Sequence, residues 1–199
     1  MIASIGRPIQ ILFLVAALLL VGRAEAQADA ASFIGSLAAD AVPVLTNRSV
    51  PEPEREQKFS ELLDKGFDME QLSSMVLGRY WRTASPEERT EFTGLLRSYL
   101  IQIYADRFSE FQNVELEVGS TRTDQGTDFV TSTMRQQRGP AVQLEWRVER
   151  VNGRFVITDL VVEGVSMVIT QRSEFASVIR QRGGQVSGLI DLLRQRTRS

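Results

Sequence analysis

The chain has 199 residues, with 23 lysines and arginines against 25 aspartates and glutamates and a net charge of −2. It contains neither cysteine nor histidine, which excludes disulfides, thiolate nucleophiles, cysteine or histidine zinc sites and serine–histidine–aspartate triads. The near-neutral balance offers nucleic acid no general attraction, and any catalysis would rest on Asp, Glu, Tyr, Lys or Arg.

Arg7 and Pro8 precede an apolar run of 13 residues, Ile9 to Val21, broken only by Gln10. That is too short for a bilayer core of about 30 Å, which needs roughly 20 residues. Ala24-Glu25-Ala26 and Ala26-Gln27-Ala28 follow at the small-residue spacing a signal peptidase reads. The sequence thus predicts an export signal over residues 1–26, cleaved near Ala26 or Ala28, and one domain over residues 27–199. An uncleaved N-terminal anchor is the alternative. Cutting after Ala26 leaves 173 residues with 21 basic and 24 acidic side chains. A domain of that size buries roughly 70% of its unfolded surface, enough to stand without disulfides.

Phe33, Leu37, Ala41 and Val44 fall three or four apart and predict a helix near residues 29–45. Pro43, Pro51 and Pro53, with Asn47 between them, mark its end and a polar connection. A second helix, about 54–65, presents Phe59, Leu62 and Leu63 and stops at Gly66. A third, 68–77, carries Met69, Leu72, Met75 and Val76 and closes at Gly78. Ser85-Pro86-Glu87-Glu88 reads as a capping box with proline in the first turn. The helix it opens runs to about residue 111, near 37 Å at 1.5 Å per residue, with Phe92, Leu95, Leu96, Tyr99, Leu100, Ile103 and Phe108 as an apolar stripe.

The period then changes to two. Val114, Leu116 and Val118 alternate with glutamates; a second strand spans about 127–136. The third is the strongest alternation, with Val142, Leu144, Trp146 and Val148 set against Gln143, Glu145, Arg147 and Glu149. It predicts an antiparallel sheet dry on one face. Asn152-Gly153 is a hairpin signal. A fourth strand, 154–162, is apolar on both faces and therefore central or covered twice, and Gly164 breaks it as a bulge. Helices return at about 170–182 and 186–195, separated by Gly183-Gly184. This order predicts an α+β fold, a curved four-stranded antiparallel sheet packed against several helices.

Two stretches carry a resemblance. The first is Val76-Leu77-Gly78-Arg79-Tyr80-Trp81-Arg82-Thr83-Ala84-Ser85, with Pro86-Glu87-Glu88-Arg89 and Phe92. The second is Asp159-Leu160-Val161-Val162-Glu163-Gly164-Val165-Ser166-Met167, with Arg172, Glu174-Phe175 and Gly183. Both resemble the MlaC, or toluene-tolerance, family of periplasmic phospholipid-binding proteins. Ser173 to Ile179 with the double glycine also resembles the hopanoid-associated HpnM branch. The resemblance implies an NTF2-like fold whose apolar pocket lies between sheet and helices and holds phospholipid acyl chains. It implies a periplasmic, monomeric lipid carrier with no catalytic residue, no cofactor other than its lipid cargo, and no metal. It further implies partners: an inner-membrane ABC transporter with an MCE-domain protein, and an outer-membrane lipoprotein. Such a carrier helps keep the outer membrane's lipids asymmetric.

Under that resemblance the expected pocket lining comes from three regions. The first stretch and the long helix contribute Leu77, Tyr80, Trp81, Phe92, Leu96, Tyr99, Ile103 and Phe108. The strands contribute Val142, Leu144, Trp146, Val148, Phe155 and Ile157. The second stretch and the helix after it contribute Val165, Met167, Phe175 and Ile179. Hopanoid cargo is an alternative, and so is a cavity enzyme using Asp159 or Glu163 as general acid or base. Against the enzyme stands a structural reading, a carboxylate held by arginine or backbone amides. Arg79 and Arg82 either meet lipid phosphates or pair with Glu87 or Glu88. The basic end, with Arg172, Arg180, Arg182, Arg194, Arg196 and Arg198, either docks on an acidic partner or is a solvated face.

Overall fold

The structure, a computed structural model, describes residues 30–108, 113–137 and 139–197. The export signal with its cleavage positions, the expected end of the long helix (109–111) and Arg198 lie outside these residues. Helix α1 covers residues 30–45, α2 Glu52–Gly66, α3 Met69–Leu77 and α4 Pro86–Phe108, with a 3-10 turn over Gly78–Arg82 between the last two. Strands β1 (Glu115–Asp124), β2 (Thr127–Arg135), β3 (Val142–Val151), β4 (Arg154–Val162) and β5 (Val165–Ser166) follow, then α5 (Met167–Gln181) and α6 (Val186–Arg196).

The helix starts are set by side chains. Asp68 accepts from the amides of Glu70 and Gln71 at 3.1 and 3.0 Å and caps α3. The capping box of α4 is complete: Ser85 Oγ accepts from the Glu88 amide at 3.2 Å and Glu88 accepts from the Ser85 amide at 2.9 Å. Glu87 takes the Ser85 hydroxyl at 2.8 Å. The glutamates therefore serve the helix start, and Arg79 lies over the Tyr80 ring, 4.9 Å from its centroid, instead of pairing with them as one of the two alternatives had it.

The strands form one antiparallel meander in the order β1-β2-β3-β4-β5. Three of its hairpins turn through paired positive φ angles: Gln125-Gly126 (48° and 87°), Asn152-Gly153 (50° and 81°) and Glu163-Gly164 (48° and 80°). These are the type I′ turns that match strand twist. Gly164 is thus a turn residue and not a bulge, and the chain beyond it folds back as the two-residue β5.

Bulges lie elsewhere. Gly119 and Ser120 together oppose Thr131, so the register slips between Val118 and Thr121; a Cβ on Gly119 would sit 2.7 Å from Thr131 Oγ1. This slip explains why the apolar alternation of β1 stops at Val118 although the strand continues to Asp124: the inner face passes to Thr121, half-buried opposite Val130. A second slip falls at Thr158 on β4. Bulges of this kind bend a sheet and raise its twist, giving the inner face its curve.

Apolar residues gather in two cores. One joins the helices, with Leu72, Val76, Leu77, Phe92, Leu96, Tyr99, Phe175, Ile179, Leu189 and Leu193. The other joins α1 to the sheet, through Ala30 and Ile34 against Val130, Val148 and Ile157. Phe67 packs on both. Strand β4 is covered on both faces, with Val156 at 0% and Ile157 at 4% exposure, as its two-sided apolarity predicts.

Candidate functional site

The two signature stretches, about 80 residues apart in sequence, meet in space. Gly78 closes α3 at φ 55° and ψ −122°, a conformation left to glycine because a Cβ clashes there. The stem of Arg172, from α5, crosses this glycine so closely that a Cβ would lie 3.1 Å from its Cδ. Arg172 Nε then donates to the Met75 carbonyl at 2.6 Å, satisfying an open carbonyl at the end of α3. Three residues on, Phe175 sets its ring edge-on to Phe92 at 5.7 Å and tilted to Tyr99 at 6.1 Å. The stretches therefore join α3, α4 and α5 into one scaffold.

Asp159 belongs to the same joint. Only 4% exposed, it accepts the Ser166 hydroxyl at 2.6 Å and the Val168 amide at 3.1 Å, and Arg147 Nη1 stands 3.3 Å away. Ser166 in turn accepts from the Ile169 amide at 3.1 Å and caps α5. A carboxylate so placed stabilises a helix start. Glu163, on its turn, accepts from the Gln143 amide, while its own amide donates to the Gln143 carbonyl at 2.9 Å. Both carboxylates are engaged by groups that hold the backbone in place.

The sheet supplies the apolar surface. Register places Leu144 opposite Val162, Trp146 opposite Leu160 and Val148 opposite Ile157, all on the inner face. Val148 and Ile157 are sealed by α1, whereas Trp146, Leu160, Val162, Val142 and Met134 stay half-buried. Polar atoms within this face are matched: Trp146 Nε1 donates to Ser132 Oγ at 2.8 Å, and Ser132 is 2% exposed. The opposite face of β1–β3 is charged, with Arg122 over Phe129 at 3.7 Å and 3.5 Å from Glu145.

The expected lining residues divide between these surroundings. Leu77, Phe92, Leu96, Tyr99, Phe175 and Ile179 are buried in the helical core, with Tyr80, Trp81 and Ile103 packed partly against it. Val148 and Ile157 belong to the sheet core, with Trp146 and Phe155 packed partly against it. Leu144 is buried at 9% exposure, Val142 and Met167 are half-buried, and Val165 is 53% exposed at the sheet's end. Phe108 closes α4. Sequence reasoning missed Ser132, Leu160, Val162 and Ile169. Ser132 carries no mark in a strand of threonines and serines, while Leu160 and Val162 share the inner face only because Thr158 shifts the phase of β4. A surface depression of about 380 Å³ includes Trp81 with Asp68, Gln71 and Val151, and another of about 410 Å³ lies beside Val42, Asn47 and Val114.

The basic end is only partly spoken for. Arg194 ties α6 to α4 through Glu91, at 2.6 and 2.8 Å, and that bond raises its pKa further. Arg180, Arg182 and Arg196 are exposed. Among the described residues no group of three or more acidic side chains could hold a metal, and no helix is long and apolar enough to cross a membrane.

Comparison with known proteins places this arrangement. The MlaC family profile, described as MlaC protein, matches residues 37–195. Toluene tolerance protein ttg2D of Pseudomonas putida is 22% identical over 67% of the chain and 63% of its own length. The intermembrane phospholipid transport system binding protein MlaC of Haemophilus influenzae is 24% identical over 58% of the chain and 56% of its own. The chain thus spans about three fifths of these relatives. A phospholipid-binding protein from Ralstonia solanacearum, solved in complex with a phospholipid, superposes with a TM-score of 0.70 at 25% identity, covering 83% of this chain and 95% of that one.

Proposed function

The chain belongs to the MlaC family, and from that premise we propose that it is an exported, monomeric phospholipid carrier rather than an enzyme. The carrying observation is that the same fold holds a phospholipid in the Ralstonia protein. The half-buried inner sheet face, whose buried serine and indole satisfy each other, supports the reading, because an apolar chain gains nothing beside an unmatched polar group. The structural use of Asp159 and Glu163, which hold amides and a hydroxyl, favours the carrier over the enzyme.

Hiding two acyl chains of about 30 methylenes is worth on the order of 24 kcal/mol at about 0.8 kcal/mol each. A bilayer offers nearly the same, so exchange runs reversibly and the protein need supply no reaction. In this reading the mature chain works in the periplasm. It takes lipid from or gives it to an inner-membrane ABC transporter with an MCE-domain protein and an outer-membrane lipoprotein. The cargo itself, phospholipid or hopanoid, is the only bound molecule required.

Native mass spectrometry of the purified mature protein tests this. Co-purifying phospholipid, or phospholipid gained from vesicles, is the expected result, and the lipid masses separate phospholipid from hopanoid cargo. A chain that stays lipid-free after incubation with phospholipid vesicles overturns the proposal.

A further inference from the structure

One cross-strand row leads from the surface into the inner face. Val165 pairs with Val162, Val162 with Leu144, Leu144 with Ser132. Exposure falls along it: Val165 is 53% exposed, Val162 half-buried, Leu144 9% and Ser132 2%. Four residues after Val165, in the first turn of α5, Ile169 is likewise exposed, at 56%. Three strand spacings separate β5 from β2, a track of about 14 Å. Half of a bilayer's hydrocarbon core, the depth one acyl chain fills, is about 15 Å.

What ends the track is Trp146. Its direct partner across the strands is Val130, yet its indole reaches diagonally to the next row and donates to Ser132 Oγ at 2.8 Å. Diagonal neighbours of this kind lie within reach of an aromatic side chain. The bond holds the indole beside Ser132, where the row passes on to half-buried Val118 of β1. It gives the hydroxyl oxygen of buried Ser132 its partner, so moving the ring leaves a buried polar group unmatched. Beyond it, Val130, Val148 and Ile157 are already filled by α1.

We propose that Trp146, fixed by Ser132 as a positioning residue, is the stop that sets the acyl-chain length this protein accepts, with the chain lying along Val165, Val162 and Leu144. The inference rests on the carrier reading and adds a specificity-determining residue to it.

The test equilibrates the mature protein with vesicles holding equal amounts of phosphatidylcholines with sixteen-carbon and twenty-carbon chains, and reads the bound ratio by native mass spectrometry. The wild type is expected to favour the shorter lipid. Trp146→Leu, which keeps the position apolar, is expected to move the ratio about tenfold toward the longer one, equivalent to about 1.4 kcal/mol. Ser132→Ala keeps the ring but frees it, and is expected to flatten the ratio while lowering near-ultraviolet circular dichroism measured in a Trp81→Phe background. Unchanged ratios in both folded variants, or a wild type indifferent to chain length, overturn this inference and leave the carrier standing. A wild type that takes up neither lipid overturns the carrier itself. Should Trp146→Leu fail to fold, the Ser132→Ala ratio decides alone.

Discussion

Replacing Asp159 by Asn separates a structural carboxylate from a chemical one. The native side chain accepts two hydrogen bonds, from Ser166 Oγ at 2.6 Å and the Val168 amide at 3.1 Å, with Arg147 3.3 Å away. An asparagine offers one acceptor oxygen, and its amide group must face the second donor. The cost is one hydrogen bond to a charged group, about 1.5–3 kcal/mol, plus an ion pair whose arginine is 38% exposed and which is therefore worth under about 1 kcal/mol. The sum is about 2–4 kcal/mol. At a urea dependence of about 2 kcal/mol per molar, the middle of the usual range, the unfolding midpoint falls by roughly 1–2 M. Lipid occupancy of the folded variant, read by native mass spectrometry, is expected to match the parent. Two results would refute the reasoning: a midpoint within about 0.3 M of the parent, or a variant that folds but no longer binds lipid. The first would deny the anchoring of α5; the second would give the carboxylate a part in handling cargo.

Gly78→Ala forces a side chain into a glycine conformation at φ 55° and against Arg172, and is expected to cost about 1–3 kcal/mol in urea melts. Arg172→Ala should recover only the contact portion in a double-mutant cycle. Phe175→Ala empties the joint beside Phe92 and Tyr99 and should cost about 3–5 kcal/mol, measured the same way. The bond from Arg97 holds the Asp64 carboxyl below the ordinary carboxylate value. Its small contribution to stability is therefore complete above the unfolded pKa of about 3.9 and is lost as pH falls through the lower folded value. Arg97→Met is expected to raise the Asp64 pKa in a carbon-detected NMR titration, and no upward movement would contradict the assignment.

The fold was legible wherever a local rule and the tertiary structure agree. Ser85 through Glu88 announces a helix start by chemistry confined to four residues, and Asn152-Gly153 announces a hairpin in two. The alternation of β3 survives intact because no bulge interrupts it. Legibility failed where phase slips: the Gly119–Ser120 bulge hid the second half of β1, and Thr158 hid which residues of β4 share a face with Trp146. Gly164 misled because a glycine after an apolar strand suits a bulge and a type I′ turn equally well. The paired positive φ angles of Glu163 and Gly164 and the pairing of Val162 with Val165 distinguish them. The apolar side chains of the expected site were readable as buried or amphipathic, but Phe92 in a packed core and Trp146 on a half-open face look alike in a sequence.

The residues that make the family recognisable therefore differ in kind from those that decide what is carried. Gly78, Arg172, Asp159, Ser166 and Phe175 have their chemistry used up within the protein, in a helix end, a helix start and a ring cluster. Their identities are demanding because each occupies a strained or fully matched position, and that is what gives the two stretches a readable signature. Cargo selection in the proposed carrier falls to Val165, Val162, Leu144 and Trp146, where almost any apolar residue preserves the fold but changes the length and width of the track. A hydrogen bond no longer than that between Trp146 and Ser132 is enough to turn such a permissive surface into a measured one. It fixes where the surface stops without adding a polar group that the lipid must face.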